Sequence, residues 1–476
     1  SICLKGICSI IWFMESLIRN FLNKCHEMSP VIHCIGDAMI DEYYHVQINR
    51  ISPEYPVAVM LSQNNVVTKP GGVANVAYQF KNTGAEVHLM CFYDTDAFDC
   101  YYAENLNPFY LNESARLPED KKAKLPIKRR FVDNNIQVAP RQDIEFKNCN
   151  LSDKLIDDYY LIAKQFIRES PKPNAVILSD YNKGFFSSER NFIELYDDTI
   201  TIVDPKSNNL SKWKNCTVFK PNKKEAFELS GLTDWKLQCD FFKKELNCKA
   251  VIITDSGNGI VGISDDEYFQ YQPPFINSVE SVIGAGDCFA AFLALALSHG
   301  FNPIDSAKIA YHAGLVYVKQ KENRPIVLAD LIQNKIIEPR DLVYRDFSLA
   351  FTNGCFDILH TGHLETLKFA KSKADKLVVA INTDKSVKFL KGDTRPIVPL
   401  IHRMNVLANL SIVDYVIPFD DYTPIDLIRL IRPENLIKGA DYQNKDVVGK
   451  EFVDKVYFAP FIDNFSSTSI IDAHRL

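Results

Sequence analysis

The sequence lacks several features that mark whole classes of protein. None of its 12 cysteines forms a C-x-x-C pair, which excludes the usual zinc-ribbon and thioredoxin-like arrangements. No apolar run approaches the ~20 residues that span a bilayer, and there is no low-complexity tract or internal repeat. Basic residues are not in excess, since 54 lysines and arginines face 60 acidic residues and the net charge is −6. The chain therefore has no global positive field for nucleic acid or an anionic membrane.

The remaining composition is that of an ordinary globular protein. Of the 476 residues, 46% are hydrophobic and 24% are charged. Because domains usually hold roughly 100–200 residues, we expect two domains, a large α/β domain and a smaller one. The cysteines are irregularly spaced and several lie in apolar runs, which favours reduced, packed thiols and a cytoplasmic location.

The N-terminal segment does not match the pattern of a secretory signal. Residues 7–14 are apolar, but charged residues follow and no small-residue cleavage site is present. Leu17, Ile18, Phe21 and Leu22 have helical spacing, which predicts a short amphipathic helix over residues 15–25. Our hypothesis is that residues 1–28 form a dispensable extension.

The rest of the chain alternates between strand and helix patterns in two blocks. In the first block, β-branched runs at 175–178, 200–203 and 251–254 are separated by helical stretches such as 153–167 and 223–230. This alternation predicts a mostly parallel sheet covered on both faces, in a domain over residues 29–335. The pattern restarts with a strand at 348–352, a helix at 362–374 and a strand at 377–382. We therefore predict a second, smaller Rossmann-like domain over residues 336–476.

The first candidate phosphate site is the sequence GAGD at residues 284–287, directly before an apolar helix. Backbone N–H groups of Gly284, Ala285 and Gly286 can converge at the positive end of that helix and form an anion hole. Asp287 lies at the same end, where it could accept the proton of an attacking hydroxyl. The alternative is a glycine turn whose aspartate caps a buried helix.

Three other fragments can serve the same site. Gly71 and Gly72, with Asn75, precede or begin a helix and let the backbone approach a ligand. The pair Asn222-x-x-Glu225 is spaced to position hydrated Mg²⁺, and Asp41, just after the first strand, could bind sugar hydroxyls. Taken singly, each fragment is equally consistent with a turn, a cap or a solvated helix face.

In this order the fragments resemble the ribokinase-like (PfkB) carbohydrate kinases over about residues 31–320. The matching segments are IGDAMIDEYY, RISPEYPVAV, KPGGVANVA, LSDYNKGFF, VDPK, KPNKKEAFEL and GAGD. The resemblance implies phosphorylation of a sugar hydroxyl by ATP, with Asp287 as the base and Asn222 and Glu225 in the nucleotide and magnesium region. It also implies that the sugar, already carrying a phosphate, is held by these residues: Asp41, Gly71, Gly72, Asn75, Lys128 and Arg130.

The chain departs from the pattern of that family at three positions. Ser281 and Ile283 replace the aspartate and threonine that often precede the glycines, which puts any cation-supporting role of the segment in doubt. His312 stands where relatives often carry an asparagine near the adenine. A weakened or lost kinase activity is therefore an open alternative.

The second candidate phosphate site is TNGCFDILHTGH at residues 352–363. A predicted strand ends in a glycine turn, and His360 and His363 bracket the start of a helix. Both imidazoles can then donate hydrogen bonds to phosphate oxygens of a nucleotide. The rival interpretations are a metal site, which lacks a nearby third ligand, and two exposed histidines that cap a helix.

This segment resembles the HxGH nucleotidyltransferases (cytidylyltransferase-like) over about residues 347–476. That resemblance implies transfer of a nucleoside monophosphate to a phosphate, with release of pyrophosphate and no covalent nucleophile, so Cys355 is interpreted as a packed turn residue. His360 and His363 would be catalytic. The nucleotide would be bound by a larger set, namely Thr352, Asn353, Gly354, Phe356, Asp384, Lys391, Arg395, Arg403, Lys438, Ser466, Ser467 and Thr468.

A PfkB-like kinase followed by an HxGH nucleotidyltransferase resembles the bifunctional enzymes of ADP-heptose synthesis. The resemblance implies heptose 7-phosphate phosphorylated at O1, ATP and Mg²⁺ as partners, and ADP-heptose formed from heptose 1-phosphate; we also expect a homo-oligomer, a dimer. One alternative is another sugar or polyol phosphate, with CTP as a possible nucleotide. Another is a degenerate sugar-phosphate-binding protein without turnover.

Overall fold

The structure is a computed structural model of the chain. It divides into two compact units, Ser1–Ile326 and Val327–Leu476, and each is described by itself. None of the helices within the described residues is both long and apolar enough to cross a bilayer. The described residues are 2–91, 110–111, 125–133, 136–145, 153–187, 190–206, 208–272, 279, 281–320, 324–332, 335–443 and 445–460.

The first unit contains a large sheet that confirms the predicted α/β class. Its strand order is β14-β13-β12-β11-β10-β9-β1-β4-β5, parallel from β12 to β5 and antiparallel along β12, β13 and β14. The strands of this unit are β1 (Val31–Gly36), β2 (Ala38–Ile51), β3 (Ala58–Gly72), β4 (Glu86–Cys91), β5 (Tyr110–Leu111), β6 (Ile127–Asp133), β7 (Ile136–Gln137), β8 (Gln142–Ile144), β9 (Ala175–Ser179), β10 (Ile200–Asp204), β11 (Val218–Phe219), β12 (Ala250–Thr254), β13 (Ile260–Ser264) and β14 (Glu267–Tyr271).

The central strands are mostly apolar because helices cover both faces of the sheet. β9 is buried at all five positions, and its residues pair in register with β1 on one side and β10 on the other. The helices of this unit are α1 (Ile2–Glu27), α2 (Val73–Tyr78), α3 (Asp153–Glu169), α4 (Lys223–Ser230), α5 (Trp235–Leu246), α6 (Ala285–Ser298) and α7 (Pro303–Tyr317).

A second, smaller sheet was not predicted. The long antiparallel pair β2–β3 is joined by β6, which runs parallel to β2 and carries β7 and β8 on its other side. Asp41, which follows the first strand as predicted, lies within β2, opposite Lys128 of β6. This sheet brings Asp41, Lys128 and Arg130 together.

The N-terminal helix α1 is longer than predicted and packs on the first unit. The described side chains of its apolar face are buried, and Phe21, which is fully inaccessible, contacts the rings of Phe292 and Phe301. The Lys24 ammonium donates to the carbonyl oxygen of His299 at 2.9 Å. Whether residues 1–28 are dispensable remains a prediction, as do the predicted domain limits.

The second unit is a parallel five-stranded sheet in the order β17-β16-β15-β18-β19. Every pairing in it is parallel, as expected for a Rossmann-like unit. Its elements are β15 (Leu349–Gly354), α8 (Thr361–Lys371), β16 (Lys376–Asn382), α9 (Asp384–Lys391), α10 (Leu400–Ala408), β17 (Tyr415–Phe419), α11 (Ile425–Ile431), β18 (Asn435–Gly439) and β19 (Lys455–Ala459).

Candidate active sites

Asp287 is the third residue of α6, and its carboxylate is buried. The phenolic O–H of Tyr181 donates to its Oδ1 at 2.5 Å, and the Nδ2 of Asn75 donates to its Oδ2 at 2.5 Å. Burial raises the pKa of Asp287, while the hydrogen bonds from Tyr181 and Asn75 and the charge of Lys220 oppose that rise. A carboxylate with a raised pKa at a helix N-terminus has the properties of a general base.

The glycine turn before Asp287 is required by its surroundings. Gly284 is the N-cap of α6 with φ of 81°, and a Cβ there would lie 2.6 Å from the Tyr317 hydroxyl and 2.9 Å from the Asn75 amide. Gly286 has open space where a Cβ would stand. Ala285 and Gly286 line a cavity of about 770 Å³, so the first turn of α6 faces a volume large enough for a ligand.

That cavity has an apolar wall and a polar end. Asn222, Lys223, Thr254 and Asp255 supply polar groups, as expected for a nucleotide site at the carboxyl ends of parallel strands. His312, which the resemblance put near the adenine, is buried in α7, whereas the cavity is lined from that helix by Tyr311, Gly314 and Leu315. The apolar lining residues are Phe227, Val279, Val282, Phe289 and Val318.

Asn222 and Glu225 form a capping box at the start of α4. The Asn222 side chain accepts from the Glu225 N–H at 2.9 Å, and Glu225 Oε2 accepts from the Asn222 N–H at 2.8 Å. The other carboxylate oxygen of Glu225 pairs with Lys206. The two residues therefore have a local structural role, and the charge of Glu225 is already balanced by Lys206.

Most of the residues predicted to bind the sugar lie together on β2, β3 and β6. Asp41 forms an ion pair with Arg130, and Gly71 allows close approach because a Cβ there would lie 2.8 Å from Asp41 Oδ2. The Lys128 ammonium stands 5.5 Å from the centre of the Tyr181 ring. Burial lowers the pKa of Lys128, and the negative charge of Asp41 opposes that change. The charge of Arg130 is thus balanced within the protein by Asp41, while the Lys128 ammonium lies over the ring of Tyr181.

Sequence reasoning missed Tyr181, Lys206 and Lys220 in this site. All three lie in segments already matched to the kinase family, in LSDYNKGFF, VDPK and KPNKKEAFEL. Lys220 is 3% exposed and pairs with Asp204 at 3.1 Å. These three residues follow the ends of β9, β10 and β11. Because those strands are parallel neighbours in the sheet, the three side chains lie close together, which the sequence alone does not show.

In the second unit, His360 is the N-cap of α8 and His363 lies in its first turn, as predicted. Their ring centres are 3.9 Å apart. Among the described residues neither Nδ1 has a hydrogen-bond partner. Burial lowers the pKa of both, that of His363 to about 4 with the charge of His360 adding to the effect. Both imidazoles are therefore neutral at pH 7, and each can donate one N–H to a ligand.

Asp357 ties the turn before these histidines to the loop after α9. Its buried carboxylate accepts from the N–H groups of Ile397 at 2.8 Å and Val398 at 2.9 Å, and it pairs with Arg395. Burial alone would raise the pKa of Asp357, but these hydrogen bonds and the Arg395 charge leave it below its usual value. Arg395 Nη2 is buried and, within the described part of the chain, has no partner.

Arg403 and Asp384, both predicted to contact the nucleotide, are bound to each other at 2.6 Å. Arg403 is 2% exposed and also donates to the carbonyl oxygens of Val398, Cys355 and Asn382 at 2.8, 2.6 and 2.9 Å. Its guanidinium therefore joins three chain segments around the site.

The other predicted nucleotide residues are distributed around the same end of the sheet. Lys438, at the end of β18, donates to Asn353 Oδ1 at 2.6 Å, and Thr352 is buried within β15. Gly354 lies against the ring of Phe356, whose φ is 44°, and Lys391 is exposed at the end of α9. Ser466, Ser467 and Thr468 lie outside the described residues.

Within the described residues no cluster of three or more histidine, cysteine or acidic side chains could hold a metal ion.

Comparisons with known proteins match a family to each half of the chain. Residues 188–327 match the pfkB family of carbohydrate kinases, and residues 351–473 match the cytidylyltransferase-like family. The fold and its two sites therefore define a carbohydrate kinase followed by a nucleotidyltransferase in one chain.

Relatives along nearly the whole chain narrow that class to one family. The chain is 34% identical to the bifunctional protein HldE of a Nitratiruptor species, covering 94% of this chain and all of the relative. It is 34% identical to HldE of Campylobacter jejuni serotype O:6, over 94% and 97%, and 33% identical to HldE of a Marinomonas species, over 97% and 100%. The chain belongs to the HldE family of bifunctional proteins.

Among solved structures, the chain is similar to a ribokinase from Thermotoga maritima. That match has a TM-score of 0.48 and 20% identity, and it covers 63% of this chain and 98% of the ribokinase. The ribokinase of Arabidopsis thaliana, complexed with ribose and ATP, matches with a TM-score of 0.47 and 16% identity over 64% and 99%.

Proposed function

We propose that this chain catalyses two steps of ADP-heptose synthesis. The first unit would transfer the γ-phosphoryl group of ATP to O1 of heptose 7-phosphate. The second would transfer the adenylyl group of ATP to heptose 1-phosphate and release pyrophosphate. The observation that carries the proposal is the match to bifunctional HldE proteins over 94% of the chain, with both phosphate sites inside the matched length.

In the first unit Asp287 acts as the general base. Its carboxylate accepts the proton of the sugar hydroxyl while that oxygen attacks the γ-phosphorus. The N–H groups around Gly284, Ala285 and Gly286, together with the positive end of α6, stabilise the charge that develops on the transferred phosphoryl group. Lys220, buried beside the base, adds positive charge at the same place.

The substrate is held by the sheet formed by β2, β3 and β6. Asp41 accepts hydrogen bonds from sugar hydroxyls, and its pairing with Arg130 fixes its orientation. Lys128 supports recognition of a sugar that already carries a phosphate. Its ammonium stacks on Tyr181 and forms no ion pair with a described carboxylate, which leaves it available for an anionic group.

We propose that Mg²⁺ accompanies the ATP phosphates near the start of α4, where Asn222 lines the cavity and Glu225 carries the hard oxygen atoms that this ion prefers. The ion would supply charge neutralisation of the ATP phosphates. Lys206 balances Glu225 in this structure, so the lysine can turn toward phosphate when the carboxylate faces a hydrated cation. Asn222 keeps α4 capped and thereby fixes the position of Glu225.

In the second unit the phosphate of heptose 1-phosphate attacks the α-phosphorus of ATP, and the bond to the leaving pyrophosphate breaks. His360 and His363 donate N–H groups to the α-phosphate as it becomes five-coordinate. Arg395 pairs with Asp357 in the turn before the histidines, and its Nη2, which has no partner among the described residues, is a further donor. Lys438 and Asn353, hydrogen-bonded to each other at the ends of β18 and β15, would bind the nucleotide.

Incubating the purified chain with defined substrates tests this function. With heptose 7-phosphate, ATP and Mg²⁺, mass spectrometry should detect heptose 1,7-bisphosphate. With heptose 1-phosphate, ATP should yield ADP-heptose and stoichiometric pyrophosphate, and CTP should yield much less. A preference for CTP, or for a polyol phosphate as the acceptor, would contradict the proposal. The homodimer and the cytoplasmic location remain predictions.

A further inference from the structure

Tyr181 binds the carboxylate of Asp287 from the opposite side to Asn75. Its O–H donates to Oδ1 at 2.5 Å, while Asn75 donates to Oδ2 at 2.5 Å. The two donors come from different elements, the turn after β9 and the helix α2. Each oxygen of the carboxylate therefore has one neutral donor, and the carboxylate is fixed in one orientation.

The backbone that carries Tyr181 is itself firmly held. The buried carboxylate of Asp37 accepts from the N–H groups of Tyr181 at 2.9 Å, Lys183 at 3.0 Å and Phe185 at 2.9 Å. Asn182, between them, has φ of 55°, and its N–H donates to Asp180 Oδ1 at 2.8 Å. A turn with so many bonds to buried carboxylates places the phenol with little freedom.

Two cations lie over the aromatic ring of Tyr181. The ammonium groups of Lys128 and Lys206 stand 5.5 and 5.6 Å from its centre, within cation–π range. Positive charge near the ring withdraws electron density from the phenol and makes its O–H a stronger donor. Lys128 comes from the sugar side of the site and Lys206 from the phosphate side, so Tyr181 contacts both.

We propose that Tyr181 is a positioning residue, which holds the Asp287 carboxylate ionised and aimed at the sugar hydroxyl. Tyr181 acts through Asp287 and takes no proton itself, because removal from water and the nearby carboxylates raise the pKa of its phenol well above the usual value. The inference rests on the proposed role of Asp287 as the base.

Several other charged or titratable groups surround Asp287 and stay in place when Tyr181 is changed. Lys220 after β11 favours the ionised carboxylate, and Asp41 of β2 disfavours it. The remaining groups that interact with Asp287 are Lys128 of β6, Asp204 of β10, Lys206 after β10, Cys288 of α6 and Tyr317 of α7. Removing the Tyr181 hydroxyl therefore takes away one identified contribution that lowers the pKa of Asp287.

The test is the pH dependence of sugar phosphorylation in the full-length Tyr181→Phe variant. Loss of a hydrogen bond to a charged group should lower kcat about tenfold or more, with KM for ATP nearly unchanged. The acidic limb of the kcat profile should move to higher pH, because Asp287 loses a donor that favours its ionised form. Tyr196→Phe is the matched control, since Tyr196 is also buried and hydrogen-bonded, to His33 at 3.1 Å, but away from the site.

A second variant keeps the test valid if Tyr181→Phe folds poorly. Fluorotyrosine at position 181 preserves the shape and strengthens the donor, so the acidic limb should move to lower pH. An unchanged kcat and an unchanged acidic limb in either folded variant would overturn the inference. If instead the unmodified chain forms no heptose bisphosphate, or if Asp287→Asn is fully active, the proposed function has failed and the role of Tyr181 is not the cause.

Discussion

At the scale of single residues, the buried histidine His33 makes the stability of the first unit depend on pH. It lies in β1 opposite His88 of β4, and its ring nitrogens bond the Tyr196 hydroxyl and the Pro171 carbonyl oxygen, each at 3.1 Å. The pKa of His33 is lowered to about 3, mainly by burial, with the charge of His88 adding to the effect and the hydrogen bond to the Pro171 carbonyl opposing it. The neutral ring is therefore part of the folded state.

We predict an acid-dependent loss of stability that depends on His33. Its pKa is about 3 in the folded state against 6.5 in the unfolded chain, so stability is complete above pH 6.5 and is lost as the pH falls toward 3. Between pH 7 and pH 4 the loss should be on the order of 3 kcal/mol. Urea unfolding of His33→Gln should show a smaller loss over this interval, while the partly exposed His45→Gln should behave like the unmodified chain. Equal pH slopes for all three proteins would contradict this account.

The central residues of both sites could be predicted because their signals are local in sequence. Asp287 follows its glycines directly, and His360 and His363 lie within one turn of the same helix. Partners from distant segments could not be predicted. Arg403 and Asp384 looked like two separate nucleotide ligands, yet they bind each other.

At the scale of secondary structure, helix α1 shows how an amphipathic pattern becomes part of a core. Leu17, Ile18, Phe21 and Leu22, the residues whose spacing predicted a helix, are all buried. Phe21 packs on rings from α6 and from the turn before α7. This face favours a role for α1 in the stability of the first unit, in contrast to the hypothesis of a dispensable extension.

We predict that Phe21→Ala destabilises the first unit by about 3–5 kcal/mol, the usual cost of removing a buried aromatic ring. Thermal unfolding followed by circular dichroism, together with the rate at which sugar phosphorylation is lost on heating, measures the effect. Asn20→Ala, on the exposed face of the same helix, is the matched control. If Phe21→Ala and Asn20→Ala melt at the same temperature, the packing of Phe21 contributes nothing to stability and this prediction is wrong.

Elements with strong periodicity were predictable, and the second sheet was not. The predicted helix over residues 223–230 coincides with α4. The bounds predicted for β9, β10 and β12 differ from the observed bounds by one or two residues at most. β2 and β3 carry many polar side chains because much of that sheet is exposed, and their partner β6 lies far along the chain. Without an apolar pattern and with a distant partner, its existence becomes visible only in three dimensions.

At the scale of the whole molecule, the chain combines two units that handle phosphate in different ways. In the reaction we propose for the first, a buried carboxylate at a helix N-terminus takes a proton from an attacking hydroxyl. In the reaction we propose for the second, two neutral imidazoles stabilise charge and no base is needed, because the attacking phosphate is already ionised. Each unit contains its own predicted catalytic residues, so we expect single substitutions to separate the two reactions.

Reciprocal substitution of the two sites tests this central claim most directly. Heptose bisphosphate and ADP-heptose are measured in parallel for the full-length chain carrying Asp287→Asn or His363→Ala. Asp287→Asn should lower sugar phosphorylation by at least about 10³-fold, a reasonable effect for the loss of a general base, and leave adenylyl transfer unchanged. His363→Ala should do the reverse. If either variant loses both activities, or keeps the one assigned to its own site, the assignment of the two reactions to these residues is wrong.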